Sequence, residues 1–251
     1  MEDPLRAILG RVAPGLPLES RIERLSGQFL GCRYLAHPLP DRSDGIESLN
    51  VNFTAFDCVT FCETVLALAD SGAAADFSHH LRQLRYAGSE ARWSERNHYF
   101  SEWIRSNIRK TYLQGLPELH HAVAAKTLSV VKALPARPVT LRVSPHREIL
   151  AEARRLRTGD VVAFVPPWES LDVFHCGLLI PKDGDLILRH ASRSRGGVSD
   201  EPLAAFLSRV KLRGTIVARP RWPAFGPPGR HARHAVHDHR NSEAPPPRTG
   251  L

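Results

Sequence analysis

Cys58, His175 and His190 are the residues of this sequence whose types and spacing could carry covalent chemistry. A thiolate attacks a carbonyl carbon, and an imidazole within hydrogen-bond reach first takes the thiol proton and later returns it to the leaving group. A second imidazole can hold the first in its tautomer and orientation. Cys58 follows Asp57, a good N-cap residue, and opens an apolar run, so it falls in the first turn of a helix. A helix N-terminus carries roughly half a positive charge and unpaired N–H groups. These lower a thiol from its ordinary pKa of about 8.5 and can receive the oxyanion of a tetrahedral intermediate. Nucleophile activation and charge stabilisation are thus served from one place, which is the layout of a cysteine hydrolase.

The two histidines can be placed by counting. Residues 172–180 and 185–191 read as strands flanking the turn Pro181-Lys182-Asp183-Gly184. If all four residues form the loop, Ile180 pairs with Asp185 and His175 lies directly opposite His190, with Cβ atoms about 5 Å apart. If Asp183-Gly184 alone turns the chain, the histidines are diagonal neighbours, still on one face. Only an odd-length loop or a bulge separates them.

Each of these residues also has a plain structural use. A cysteine in an apolar helix is usually a small core residue, and a histidine is usually a satisfied structural one; the shared face of the two histidines favours chemistry. Cys62, one turn after Cys58, reads as packing. Cys176 points to the opposite strand face from His175 and reads as core, while Cys32 lies in a loop and could be either. A zinc site of Cys58, His175 and His190 is the sharpest rival, since those ligand types suit zinc. No H-E-x-x-H or closely set ligand pair accompanies them, so no metal and no cofactor is expected.

Several elements must position these groups. Leu18, Ile22, Leu25 and Phe29 mark one face of a helix over 18–30, which Gly31 ends. Residues 32–56, rich in Pro, Asp, Gly and Asn, form a long loop. The helix after Asp57 is apolar on most sides up to Gly72, so it belongs in the middle of a domain. Further helices are expected over 77–86 and 97–109. Residues 118–131 fit helix or strand, and Ser144-Pro145 opens a helix ending near Leu156. The period then changes to strands at 160–165, 172–180, 185–191 and 215–218, with a helix near 202–207. Helices first and antiparallel strands later give an α+β fold. The organisation is an N-terminal extension over 1–17, one domain over 18–220, and a basic Pro/His/Arg-rich tail over 221–251 expected to be disordered.

The chain of 251 residues, 42% apolar and 24% charged, suffices for one large core. Its net charge is +8, of which the tail's five arginines and two acids supply +3. Such a surface attracts polyanions without choosing among them. No aromatic-glycine strand motif, zinc-finger spacing or basic heptad region accompanies the charge, so no specific nucleic-acid partner is expected. Four cysteines without a C-x-x-C pair read as free thiols. The start Met1-Glu2-Asp3-Pro4 lacks the pattern of a signal peptide, and no apolar run approaches the ~20 residues of a membrane span. The protein reads as soluble: cytoplasmic as written, periplasmic or wall-facing if the start lies elsewhere.

The run Leu49-Asn50-Val51-Asn52-Phe53, followed by Phe56-Asp57-Cys58-Val59-Thr60-Phe61-Cys62-Glu63, resembles the nucleophile segment of the N-acetylmuramoyl-L-alanine amidase-like family. That family is a bacterial branch of the papain-like NlpC-type cell-wall hydrolases. Further matches follow in order: Leu30-Gly31 with Tyr34, Asn97-His98-Tyr99-Phe100 with Trp103-Ile104, Thr158-Gly159-Asp160-Val161-Val162, Asp172 with His175 and Gly177, and His190-Ala191-Ser192. They span roughly residues 20–219. The resemblance implies a papain-like fold and peptidoglycan fragments (muropeptides) as substrate. It also implies Cys58 as nucleophile, His175 as base and His190 as its orienting partner, in agreement with the spacing. Tyr34, Asp57, His98, Tyr99 and Trp103 become candidates for holding substrate, although the aromatics could equally pack between helices. The sequence departs from the family pattern at Cys32-Arg33-Tyr34, where a small residue and Pro are expected before the Tyr, and at Cys62, commonly aliphatic. Two other readings stay open: a stem-peptide endopeptidase with the same three residues, and a non-catalytic module binding wall or anionic polymer.

Overall fold

The computed structural model describes residues 3–13, 15–40, 45–88, 90–145 and 148–221. The apolar periodicity of the first half becomes five helices: α1 (Pro4–Gly10), α2 (Leu18–Gly27), α3 (Cys58–Asp70), α4 (Ala74–Arg85) and α5 (Phe100–Arg109). The expected extension 1–17 contains α1, whose Leu5, Ile8 and Leu9 pack against the main core. The segment 32–56 is mostly irregular but holds two short strands, β1 (Arg33–Tyr34) and β2 (Ala55–Phe56), paired in parallel. After α5 come β3 (Leu113–Gly115), β4 (Ala122–Leu128) and β5 (Arg137–Val143). The ambiguous stretch 118–131 is therefore resolved as strand. Strand β4 alternates buried and exposed residues and pairs with β5 in a separate two-stranded sheet, because such alternation buries one face of a hairpin and leaves the other in water.

The expected long helix after Ser144-Pro145 is corrected. Only a short helix α6 (Glu148–Ala151) and a 3-10 turn (Ala153–Arg155) form there. Ser144 instead extends the sheet edge, bridging to Thr215, whose carbonyl accepts its N–H at 2.8 Å. Strands β6 (Val161–Val165) and β8 (Asp185–Ser192) follow as read, whereas β7 (His175–Lys182) starts later than expected and takes in Pro181 and Lys182 from the expected turn; β9 (Gly197–Pro202) was not expected. Helix α7 (Leu203–Arg209) and β10 (Gly214–Pro220) complete the described elements.

Among the described residues the main sheet has eight strands in the order β2-β1-β9-β8-β7-β6-β10-β3, antiparallel except at β1–β2. Its central strands are buried on both faces, and their residues alternate between two cores. Val161, Ala163, Cys176, Leu178, Ala191 and Ile216 face α2 to α5. Val162, Phe164, Leu179, Leu188 and Val217 face α7 and α6. The result is a mixed α+β architecture with helices on both sides of an antiparallel sheet. Among the described residues no helix is long and apolar enough to cross a membrane.

The turn between β7 and β8 decides the histidine register. Lys182 pairs with Asp185, so Asp183 and Gly184 alone make the turn. Both have positive φ, 52° and 86°, as a type I′ hairpin turn requires, and Gly takes that conformation without strain. The two-residue alternative of the counting argument therefore holds, and His190 is diagonal to His175 on the face toward α7.

Candidate active site

Helix α3 begins where the sequence places it. Asp57 is extended (φ −91°, ψ 179°), and its carboxylate accepts the Thr60 N–H at 2.8 Å while the Thr60 hydroxyl accepts the Asp57 N–H at 3.1 Å. This reciprocal capping box fixes the first turn and with it the Cα–Cβ direction of Cys58. Burial, and next the neighbouring Cys58 thiolate, push Asp57 up to about 7.

Cys58 meets the start of β7. Its sulfur hydrogen-bonds the Cys176 thiol, the His175 ring and the Cys176 backbone N–H. The Cys176 hydrogen bond, then the His175 charge and hydrogen bond, hold Cys58 well below the ordinary thiol range against the opposing effect of burial. Cys176 is raised well above that range, first by burial and then by donating to the sulfurs of Cys58 and Cys62. Cys176 is thus the buried core residue expected, at 1% exposure, and also a donor to the nucleophile candidate, a contact the sequence reading missed.

His175 stands at the first position of β7. Its ring packs against Phe164 and Phe206, with centroids 6.1 Å and 5.7 Å away. Its Nε2 lies 2.5 Å from Nδ1 of His190, which leaves Nδ1 as its other ring nitrogen. His190 is fully buried, with Nε2 2.9 Å from Oε1 of Glu201, off the ring N–H axis. Burial first, then the proximity of His175, lower His190 to about 4 despite the Glu201 carboxylate. Glu201 is itself 1% exposed and accepts from Arg195 at 3.1 Å and Arg209 at 2.6 Å. Burial pushes its carboxyl up, but the two guanidinium hydrogen bonds and His190 outweigh it, and the net shift is downward.

Glu201 was missed because β9 was missed. Once His190 pairs with Ser199 across β8–β9, Glu201 is the diagonal neighbour on the same face, within reach of a long side chain. The sequence offered only the Gly196-Gly197 turn, since Val198-Ser199-Asp200-Glu201 carries no apolar-polar alternation. Asp172 is a second omission of role. Fully buried, it accepts the N–H of Ser101 at 2.7 Å and of Val173 at 2.8 Å, tying the approach to His175 onto the start of α5.

The substrate candidates divide. Tyr34 lies near Cys58, Asp57 and Arg193; burial and then the Cys58 and Asp57 charges raise its hydroxyl. A cleft of about 810 Å³ runs beside the first turn of α3, lined by Asp57, Thr60, Arg96, His98, Phe100 and the 130–133 loop. His98 is fixed by Nε2 to the Trp93 carbonyl at 2.7 Å. Tyr99 is buried and stands behind the wall, its hydroxyl accepting the Val131 N–H at 3.2 Å. Trp103 is fully buried and stacks on Phe100 at 4.8 Å. The structure therefore brings Cys58, His175, His190 and Tyr34 together, puts Asp57 and His98 on the cleft, and sets Tyr99 and Trp103 in its support. Among the described residues no group of three or more His, Cys, Asp or Glu side chains is arranged to hold a metal ion.

The fold is similar to that of solved proteins. One is an N-acetylmuramoyl-L-alanine amidase from Bacteroides uniformis, at TM-score 0.73 and 23% identity over 81% of this chain and 99% of that one. Another is a Legionella pneumophila protein, at TM-score 0.73 and 19% identity over 86% and 93%. At these identities the likeness shows the fold. No curated protein matches the chain. The model of one family matches residues 24–216, which takes in the capped cysteine, both histidines and Glu201. By that match the chain belongs to the N-acetylmuramoyl-L-alanine amidase-like family (AmiA-like).

Proposed function

We propose that this protein is a papain-like thiol amidase that cleaves the amide between the lactyl group of N-acetylmuramic acid and L-alanine in peptidoglycan fragments. The observation that carries the reading is the unbroken contact from Cys58 to His175 to His190, begun at a capped helix N-terminus. The name of the Bacteroides uniformis relative supports the choice of bond.

The chemistry follows from the geometry. The Cys58 thiol gives its proton to Nδ1 of His175, and the thiolate attacks the lactyl carbonyl. The Cys58 backbone N–H at the helix end, aided by the Tyr34 hydroxyl, receives the oxyanion. His175 then protonates the departing amine of L-alanine. In the second half His175 takes a proton from water, which attacks the thioester and frees the lactyl carboxylate, regenerating the thiol. His190 keeps Nε2 of His175 engaged throughout, so that Nδ1 remains the working nitrogen.

The deciding experiment is digestion of a defined muropeptide with product identification by mass spectrometry. The wild type should release the intact stem peptide from the sugar, with or without chelator. Cys58→Ala should lose all hydrolysis while keeping the wild-type circular dichroism spectrum. Turnover by a folded Cys58→Ala variant would reject the mechanism, and loss of wild-type activity on chelation would revive zinc. Cleavage between D-glutamate and the diamino acid would keep the mechanism and move the bond.

A further inference from the structure

We infer that Glu201 is a positioning residue that sets the tautomer of both histidines and so decides which nitrogen of His175 meets the thiol. The inference rests on the thiol-amidase reading for its catalytic consequence, but its structural content can be tested without any substrate.

Two imidazoles in contact can share one hydrogen in either direction. If His190 Nδ1 carries the hydrogen, His175 Nε2 must accept it, and the hydrogen of neutral His175 then sits on Nδ1, pointing at the sulfur. In that state no base is available to the thiol. If His190 Nδ1 is a lone pair, His175 donates from Nε2, and its Nδ1 is the free base. Nothing in the His–His pair alone selects between the two.

Glu201 makes the selection. Its Oε1 lies 2.9 Å from Nε2 of His190, with both side chains at 1% exposure or less. An ionised carboxylate only accepts. A lone pair on Nε2 would face that oxygen in a dry site, where uncompensated polar contacts are costly; a hydrogen on Nε2 is attracted to it even off axis. His190 therefore carries its hydrogen on Nε2 and presents a lone pair at Nδ1. The 2.5 Å contact to His175 then fixes the direction of the whole relay.

The same arrangement keeps Glu201 ionised and His190 neutral. Four charged or titratable groups face or surround His190: His175 on β7, Glu201 on β9, Arg195 in the turn between β8 and β9, and Arg209 on α7. The two guanidinium groups hold the carboxylate in place, Arg195 donating to one oxygen and Arg209 to the oxygen that faces His190. They also repel a proton on His190. A carboxylate alone would tend to make an imidazolium of His190, and an imidazolium has no lone pair for His175 to donate to. Glu201 with its two arginines supplies orientation without that protonation.

The test uses the full chain. In nitrogen-15 spectra of the wild type near pH 7, His190 should show the Nε2–H tautomer. Glu201→Ala should lower kcat on the muropeptide roughly 10²-fold, less than the ~10⁴-fold that a wrong tautomer costs a serine triad, because Glu201 acts one residue further from the base, with KM little changed. The pH dependence of iodoacetamide alkylation at Cys58 should shift upward in the same variant. Glu201→Gln, whose amide oxygen can still face Nε2–H and accept from Arg209, should restore most of kcat and of the alkylation profile. An Nδ1–H tautomer for His190 in the wild type overturns the inference, whatever the variants do. A folded Glu201→Ala protein with wild-type kcat and alkylation profile overturns it as well. If the wild type hydrolyses no muropeptide, the amidase reading fails, while the spectra and the alkylation profiles still decide the role of Glu201.

Discussion

His190 is fully buried beside a second imidazole, and this has a measurable consequence for stability. Its ring is lowered from 6.5 to about 4 by burial and by His175. Between those values the unfolded chain holds a proton that the folded chain does not, so stability rises with pH. The contribution is complete above about 6.5 and is lost as pH falls toward 4, by roughly 3 kcal/mol in all. Asp57 works with the opposite sign: raised from 3.8 to about 7, it weakens the fold as pH rises over that range. The difference between wild type and His190→Asn isolates the histidine. Urea unfolding from pH 4 to 7 should give a curve for the variant that rises less steeply by that amount. Parallel curves would show that His190 is not held neutral by the fold.

At the scale of elements, the β7–β8 hairpin carries both histidines, and its closeness depends on Gly177. A Cβ there would lie 2.8 Å from Leu188 Cδ1, 2.9 Å from the Arg189 carbonyl oxygen and 2.9 Å from His190 Cβ. The carbonyl belongs to the ladder and cannot turn aside. Gly177→Ala should therefore destabilise the protein by about 1–3 kcal/mol, as overpacking does, and should push His190 off the His175 ring. The measurement is thermal unfolding beside kcat on the muropeptide: the midpoint should fall by several degrees and kcat by more than tenfold. A variant with reduced midpoint but full kcat would mean that the hairpin tolerates the strain away from the histidines. Helix α3 is positioned from its other end by Arg21, whose guanidinium donates to the carbonyls of Leu68, Ala69 and Ser71 at 2.7–3.3 Å.

At the scale of the whole molecule, a buried ion pair joins α3, which carries Cys58, to its neighbour α4. Arg85 Nε of α4 lies 2.7 Å from Glu63 of α3, each 2% exposed, and the same guanidinium donates to the Asn50 carbonyl. Removing one partner leaves a buried charge alone, at about 3–5 kcal/mol. Glu63→Ala should thus lower the urea midpoint strongly, and the double replacement Glu63→Met with Arg85→Met should recover much of the loss, since a well-packed apolar pair can stand in for a buried ionic one. If the single change costs under about 1 kcal/mol, the pair is not what holds the two helices and the 49–53 segment together. Glu63 and Arg85 themselves line the cleft, together with the first turn of α3 and the 130–133 loop, so the same interaction shapes that space.

Much of the site was legible in the sequence because its signals are local. The cap at Asp57, the start of α3 at Cys58 and the shared face of His175 and His190 follow from neighbouring residues and from the period of two along a strand. The α+β class is likewise legible in the change of apolar period near residue 160, although β1 to β5 lie before it and are not marked as strands by that pattern. The sequence left the hairpin register open between two turns, and backbone conformation at Asp183 and Gly184 chose one. Only tertiary structure could reveal Glu201, Cys176 as a donor to Cys58, and the retreat of Tyr99 and Trp103 behind the cleft. Each of these depends on which distant segments pack together. Pairing of β9 with β8 brings a carboxylate to His190, and the crossing of α3 over the end of β7 brings one thiol to another. Contacts of that kind are set by the burial of both sheet faces at once, a condition on the whole chain that no window of residues contains.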